Sequence, residues 1–412
     1  MMMNANSTDW QRLPIVSLCE VHVDCVNRTA PIVSEPTPFK MLRTTNVRNG
    51  YVDAENVRYV TEETYKKWTR RLIPKRGDIL LTREAPLGDV GKIRTDDAVF
   101  LGQRLYHFRP DPKKLDADFL LYSLLGDDLQ SQIKGFGSGS TVEHMRLEDI
   151  PNLEFNVPAL PIQQRIASIL SAYDELIENS QRRIKILESM ARTLYREWFV
   201  HFRFPGHENQ PRVASPLGEI PQGWEVKKLG EVAEEMRRNV PKGQIDEPTP
   251  YVGLEHIPRR SLALAAWETT IELGSNKLEF KKGEVLFGKI RPYFHKVSVA
   301  PFDGLCSADT IVIRARRQEH YAYVVMCVSS DAFVAEASAT ANGAKMPRAN
   351  WDVLKKHPIV IPNGEVADKF SSLIKDVIVQ EQALVFQIQI LRRTRDLLLP
   401  RLLSGLTVLP VQ

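Results

Sequence analysis

Two stretches of the chain carry apolar residues three and four positions apart, with charged residues between them. The first runs Ile162, Ile166, Ile169, Tyr173, Ile177, Ile184, Leu187, Ala191, Leu194 and Trp198; the second runs Phe370, Leu373, Val377, Leu384, Ile388, Leu391, Leu398 and Leu402. Such spacing is the seam of a coiled coil, sustained here over about five heptads. At ~1.5 Å per residue, a helix of roughly 35 to 40 residues spans on the order of 55 Å. Glu178, Arg182, Arg183, Lys185 and Glu188 alternate with the first seam, as the solvated face of a rod would. Pro161 suits a first helical turn, where its missing N–H would have no intrahelical use. Asn363 is placed to cap the second helix, with Glu365 and Asp368 near the positive end of its dipole. Short apolar runs at Asp78 to Leu81, Ala98 to Leu101, Val285 to Phe287 and Thr310 to Ile313 predict strands. Short helices are predicted near Asp118 to Leu125 and His320 to Val328, so the fold class is α+β.

The second half of the chain reruns the first. Leu147 to Pro158 aligns with Trp351 to Pro362, and both segments read as a short strand closed by proline, with Pro158 and Pro362 204 positions apart. The same offset carries Ile166 onto Phe370, Ile184 onto Ile388 and Trp198 onto Leu402 without a gap. Upstream, Arg76-Gly77-Asp78-Ile79-Leu80-Leu81 matches Lys282-Gly283-Glu284-Val285-Leu286-Phe287 at an offset of 206. Leu18 and Val21 pair with Leu229 and Val232 near the start of each copy. The two seams differ where Ile177 and Ala191 of the first become Glu381 and Arg395 of the second. The resulting order is β-rich unit, long helix, Pro- and Gly-rich linker, β-rich unit, long helix. Two equivalent helices in one chain pair most simply with each other, antiparallel, giving a pseudo-twofold molecule.

Composition narrows the class without naming it. Of 412 residues, 43% are apolar and 26% charged, as in a folded protein of more than one domain, and the net charge of +4 does not by itself announce a nucleic-acid partner. Cys19, Cys25, Cys306 and Cys327 lack the close pairing of a zinc site. No apolar run approaches a membrane span, so the expected location is cytoplasmic, with no membrane partner, metal or cofactor.

At the junction into the first helix, Leu160-Pro161-Ile162-Gln163-Gln164-Arg165-Ile166-Ala167-Ser168-Ile169-Leu170-Ser171, and at its end, Leu194-Tyr195-Arg196-Glu197-Trp198-Phe199, the chain resembles the conserved region of Type I restriction-modification specificity subunits. Gly77 to Pro86 and Leu286 to Tyr293 are similar to the strand-loop elements of that family's two target-recognition domains. The resemblance implies two pseudo-repeated target-recognition domains separated by two long antiparallel coiled-coil helices. It places the first domain at 1–158, the first conserved helix at 159–204 and a linker at 205–222. The second domain follows at 223–362, the second conserved helix at 363–405 and a tail at 406–412. It also implies a non-catalytic subunit that reads a split, asymmetric site on double-stranded DNA. The implied partners are two methyltransferase subunits using S-adenosylmethionine and, for cleavage, two ATP-dependent restriction subunits. In the second copy Pro362-Asn363-Gly364-Glu365-Val366 replaces the Pro-x-x-Gln-Gln type of helix start.

A DNA-reading surface needs cations for phosphates and side chains able to pair with base edges. Three clusters qualify. Arg43, Thr44, Asn46 and Arg48 share one predicted loop, with His256, Arg259 and Arg260 as counterparts. After the repeated strand, Arg83 lies over Lys289 and Pro86 over Pro292, and Arg291 and Tyr293 are added in the second copy alone. The third cluster is a glycine-rich loop from Lys134 to Ser140 leading to His144 and Arg146, matched by Asn342 to Lys345 leading to Arg348. Arg104, between the second and third clusters in sequence, completes the candidates for DNA contact.

Two other readings stay open. A stand-alone nuclease or methyltransferase would need motifs that are missing: no Asn-Pro-Pro-Phe type tetrapeptide, Gly-x-Gly-x-x-Gly loop or phosphate loop occurs. An RNA-binding or protein-adaptor rod would use the same architecture.

Overall fold

The computed structural model describes residues 10–137, 143–245, 247–272, 274–362 and 364–405. The chain divides into two compact units, Met1–Glu175 with Arg392–Gln412, and Leu176–Leu391. Both long helices are present, Leu160–Tyr195 and Gly364–Leu403, and each contributes a segment to each unit.

In the first unit a six-stranded sheet runs in the order Cys19–Asp24, Leu105–Pro110, Ile79–Arg83, Leu87–Lys92, Gly50–Val52, Val47–Arg48. A three-stranded sheet, Arg58–Tyr59, Phe39–Leu42 and Ala98–Leu101, and the pair Gln11–Pro14 with Glu154–Val157 complete it. Helices Ala117–Leu125 and Asp127–Gly137 follow the last long strand. The second unit has a four-stranded sheet, Ala233–Glu235, Thr310–Ala315, Val285–Gly288 and Val297–Val299, and a five-stranded sheet spanning Arg238–Val240 to Glu268–Thr270. Helices Tyr321–Val328 and Asp331–Ala339 occupy the equivalent place in the chain. The linker holds a hairpin, Arg212–Ser215 with Gly218–Pro221.

The repeated apolar strand is buried on both faces, which is why it reads as a continuous run instead of an alternation. Ile79 and Leu81 enter one core of the first unit and Leu80 another. In the second unit Val285 and Phe287 divide from Leu286 in the same way. The charged turn before each strand is repeated for a physical reason too. Gly77 and Gly283 adopt φ of +96° and +87°, a region costly for residues with a Cβ. Asp78 accepts the Lys75 N–H at 2.7 Å and Glu284 the Lys281 N–H at 2.8 Å, closing the turn. Each buried carboxylate then takes a two-point guanidinium, Arg109 in the first unit and Arg238 in the second. Burial pushes Asp78 upward, but Arg109 and His107 outweigh it and hold the carboxyl at about 2.

The start of the duplication differs from the sequence expectation. Ile15 N–H donates to the Leu153 carbonyl and Leu229 N–H to that of His357, so Ile15, not Leu18, is the equivalent of Leu229. The matching landmarks are Trp10 and Trp224, each just before the strand that pairs with the closing strand of its unit.

Within each unit the two helix segments run antiparallel. In the first, Ile166, Ala167, Leu170 and Leu402 are buried together, flanked by Ile169 and Leu398. Asp174, 4% exposed, accepts the Arg395 Nη1 at 2.6 Å and the Tyr122 hydroxyl at 2.7 Å. In the second unit Ile177, Ile184, Leu384, Val385 and Ile388 form one cluster with Leu187 and Leu391 at its edge. A larger cluster unites Trp198, Phe199 and Phe370, with Leu194 and Val377 beside it. Tyr173 is half-buried. Leu373 is a correction: it is 47% exposed, and its neighbour Ile374 takes the buried position.

Two acids of the long helices are buried in the second unit: Glu381 of the seam, and Glu188, which at 3% exposed corrects the solvated place expected of it. Glu188 accepts Ser261 Oγ at 2.6 Å and the N–H groups of Leu262 and Ala263 through one oxygen, and Arg192 through the other. Glu381 is 2% exposed with Oε1 unpartnered. Burial, then the nearby Glu188, push it up to about 8 against the pull of Arg192.

Gln163 explains part of the helix-start motif. It is 1% exposed, accepts the Asp116 N–H at 2.9 Å, and donates to the carbonyls of Lys114 and Pro158. This side chain fastens the first helix to the segment that caps helix Ala117–Leu125. At the corresponding position the second copy has Ala367, which has no amide to do the same. The expected cap at Asn363 lies outside the described residues.

Candidate nucleic-acid interface

In the first unit the strand Ile79–Arg83 delivers Arg83 to a frame of backbone bonds. Arg83 N–H donates to the Arg104 carbonyl and Met145 N–H to the Arg83 carbonyl, both at 2.9 Å. Arg83 Nη1 returns to the Met145 carbonyl at 3.0 Å, and Glu84 bridges to His144. Thr44 Oγ1 donates to the Ala85 carbonyl at 2.9 Å, which joins the first candidate loop to the same turn. Arg83, Arg104, His144 and Arg146, far apart in sequence, therefore converge. Arg104 lies 3.3 Å from Glu84, and Arg146 3.2 Å from Glu148.

The second unit repeats the frame. Lys289 N–H donates to the Asp309 carbonyl at 2.8 Å, Ala349 N–H to the Lys289 carbonyl at 2.9 Å, and Ile290 bridges to Arg348. Arg291 N–H adds a bond to the Pro347 carbonyl at 2.8 Å. Lys289 Nζ reaches only the Ala308 carbonyl at 3.3 Å, and Arg348 sits 3.4 Å from Asp309. The Arg259 guanidinium lies over the Phe294 ring, 4.1 Å from its centroid, bringing the counterpart of the first loop to the same place. Lys345 is exposed in the loop that Asn342 and Arg348 close through paired backbone bonds.

One backbone detail is shared by both copies. Ala85 and Arg291, at the 206 offset, both adopt a left-handed conformation, with φ of +52° and +48°. For residues other than glycine this costs on the order of 1 kcal/mol. Its recurrence marks a turn whose shape is held against local preference.

Two sequence candidates do not belong to this surface. Asn46 is 4% exposed, accepts the Arg43 N–H and donates to the Asn56 carbonyl, so it holds its own loop together. His256 is largely buried: one ring nitrogen accepts the Gly253 N–H and the other lies 3.4 Å from Glu268. Arg43 is half-buried at the start of the same turn, while Arg48 is exposed. The expected glycine-rich loop is also corrected. Lys134 and Gly135 lie on helix Asp127–Gly137, and 138–140 lie outside the described residues. Phe294, which supports Arg259, was not foreseen; its place beside Tyr293 in the added second-copy segment was the available signal.

Among the described residues, no group of three or more His, Cys, Asp or Glu could hold a metal ion, and no single helix is long and apolar enough to cross a membrane.

Comparison with known proteins adds independent findings. The family model for the Type I restriction modification DNA specificity domain matches residues 9–189. The MjaIX specificity subunit of Methanocaldococcus jannaschii is 27% identical over 365 residues, 84% of this chain and 81% of its own length. The EcoDI specificity subunit of Escherichia coli is 26% identical over 274 residues, 61% of this chain and 60% of its own. Among solved structures, the S subunit of a Type I restriction-modification system from M. genitalium shares the fold, with a TM-score of 0.59 at 16% identity, covering 98% of this chain and 99% of that one. Duplicated units, paired long helices and these likenesses point the same way: over most of its length the chain is similar to Type I restriction-modification specificity subunits.

Proposed function

We propose that each unit reads one half of a split, asymmetric site on double-stranded DNA, and that catalysis lies in partner subunits. The observation that carries this reading is the repeated frame. In both copies the turn after the buried strand is bonded to the segment before the closing strand, which gathers Arg83, Arg104, His144 and Arg146 in one unit and Lys289, Arg291 and Arg348 in the other. Cations held at equivalent backbone positions suit phosphate contacts that set register, while the residues differing between copies suit different base sequences. The target-recognition domains are 1–158 and 223–362, joined by 205–222 and carried on the helices at 159–204 and 363–405.

The helices also offer surface for partners. Val379, Phe386, Ile390 and Leu397 are exposed on the second helix, and their spacing of seven, four and seven keeps them on one stripe. Leu176, Ile186 and Met190 are exposed on the first. Apolar stripes of this kind fit partner helices, and we assign them to two methyltransferase subunits using S-adenosylmethionine, joined for cleavage by two ATP-dependent restriction subunits.

The test is to express the chain with its cognate methyltransferase and map the modified DNA. Two short defined blocks around an undefined gap are expected. A continuous site overturns the two-armed reading, and preference of the purified chain for RNA over duplex DNA overturns the choice of nucleic acid.

A further inference from the structure

Among the described residues, Tyr293 and Phe386 are the aromatic side chains left exposed, and Tyr293 is the more so, at 55%. Phe386 belongs to the apolar helix stripe. Tyr293 stands instead on the turn that begins at Arg291, next to the frame that carries Lys289 and Arg348.

Its mounting is rigid. Pro292–Phe294 is a single helical turn bounded by two left-handed residues, Arg291 at φ +48° and His295 at φ +54°. Phe294 N–H closes onto the Arg291 carbonyl at 2.9 Å and His295 N–H onto that of Pro292 at 2.8 Å. The turn is tied down on both sides: Arg291 N–H donates to the Pro347 carbonyl, and the His295 ring bonds the Ser329 carbonyl at 2.8 Å. Burial pushes the His295 ring down from the usual histidine value, and its Nε2 donates to that carbonyl. Behind Tyr293 the Phe294 ring meets it edge to face at 4.9 Å, and Arg259 covers Phe294.

The duplication supplies a control. At the 206 offset the first unit has Leu87, half-buried and packed against the first core from the strand Leu87–Lys92. One unit has folded this position inward, while the other presents an aromatic ring on a fixed turn that begins at Arg291, on the backbone frame that also carries Lys289 and Arg348. A ring that merely brushed a groove edge would need no such fixing. A ring that separates stacked bases does, because unstacking is costly and ordering a loose side chain would add to that cost.

We propose, building on the DNA-reading function above, that Tyr293 is a wedge that enters between two stacked bases of the half-site read by the second unit. Flanking cations hold the phosphates on either side of the opened step. Pyrimidine–purine steps open most easily, so the second half-site is selected partly by deformability at that step, and the first half-site is not.

The test uses the full chain assembled with its methyltransferase subunits, without S-adenosylmethionine, on duplexes of the mapped site with 2-aminopurine moved through each position. Wild type and Tyr293→Phe are expected to brighten the probe severalfold at one step of the second half-site. Tyr293→Ala is expected to lose that signal and about tenfold in affinity, as removal of one base–aromatic stack does. A flipped methylation target would brighten in all three proteins and is told apart by that. If no step brightens in wild type and goes dark in Tyr293→Ala, or if Tyr293→Phe is as defective as Tyr293→Ala, the wedge is overturned and DNA reading is left intact. Failure of the wild-type assembly to bind the duplex at all overturns the DNA-reading function on which the wedge rests.

Discussion

Arg395 of the second helix places Nη1 2.6 Å from Oδ1 of Asp174 on the first, and both side chains are largely buried. A buried pair of this kind contributes little against an apolar substitute, but removing one partner strands the other charge. Asp174→Leu is therefore expected to destabilise the first unit by about 3 kcal/mol, at the low end because Arg395 keeps Asp396, while adding Arg395→Met recovers most of the loss. Denaturant unfolding of the four proteins of the cycle checks this; equal losses in the single and double variants would show that the pair is not what holds the segment.

The pair also bears on a truncated chain. A fragment ending near Ala214 keeps the whole first helix, and two copies are expected to associate through it and direct methylation to a palindrome. At the 204 offset Arg395 corresponds to Ala191, so in such a dimer Asp174 meets no guanidinium. Ala191→Arg in the fragment is expected to restore the partner and tighten the dimer, read by sedimentation. An unchanged association constant would mean that the fragment dimer does not reuse the pairing of the intact chain.

Glu381 should make stability depend on pH. Its carboxyl titrates near 8 in the folded chain against 4.5 in the unfolded one. Between these values the folded state holds a proton that the unfolded state has released, so stability falls as pH rises. The accumulated loss is on the order of 4 kcal/mol by pH 8. Glu188 and Arg192 are the charged groups facing it. Glu381→Gln is expected to flatten this dependence, raising the melting temperature at pH 8 and leaving it nearly unchanged below pH 4.5. Melting curves for the two proteins at pH 4.5, 6 and 8 check it, and parallel profiles would remove Glu381 as the source.

Among the described residues Lys289 has no carboxylate within ion-pair distance, and it lies on the shared frame. If it holds a phosphate, Lys289→Ala weakens binding equally on cognate and unrelated duplexes and makes the salt slope shallower by about 1. Loss confined to the cognate site would make it a base reader instead.

Much of this architecture was legible because it repeats. Gly77 and Gly283 recur since the same positive φ is needed twice, and the buried strand recurs because both of its faces are covered. The helices were legible from their seams, yet Leu373 was assigned to the core in place of Ile374. Adjacent apolar residues satisfy the three-four spacing equally well, and only packing into the cluster that holds Trp198 and Phe199 of the other helix decides between them. Asn46 and His256 were less legible still. A polar side chain in a loop has the same letter whether it meets DNA or bonds its own backbone. Convergence of Arg83, Arg104 and Arg146 depends on strand pairing between distant segments, which local pattern does not contain.

The division of each helix between two units has a consequence for how the protein is made. The second unit, Leu176–Leu391, is one uninterrupted stretch, whereas the first needs Arg392–Leu403 to cover Ile166, Leu170 and Tyr122. A ribosome thus delivers the sheets of the first unit early but its covering helix segment only after the whole second unit. That unit spends most of translation with an apolar face open, and a nonsense codon just past Leu391 would damage the unit made first, not the one just completed when synthesis stopped.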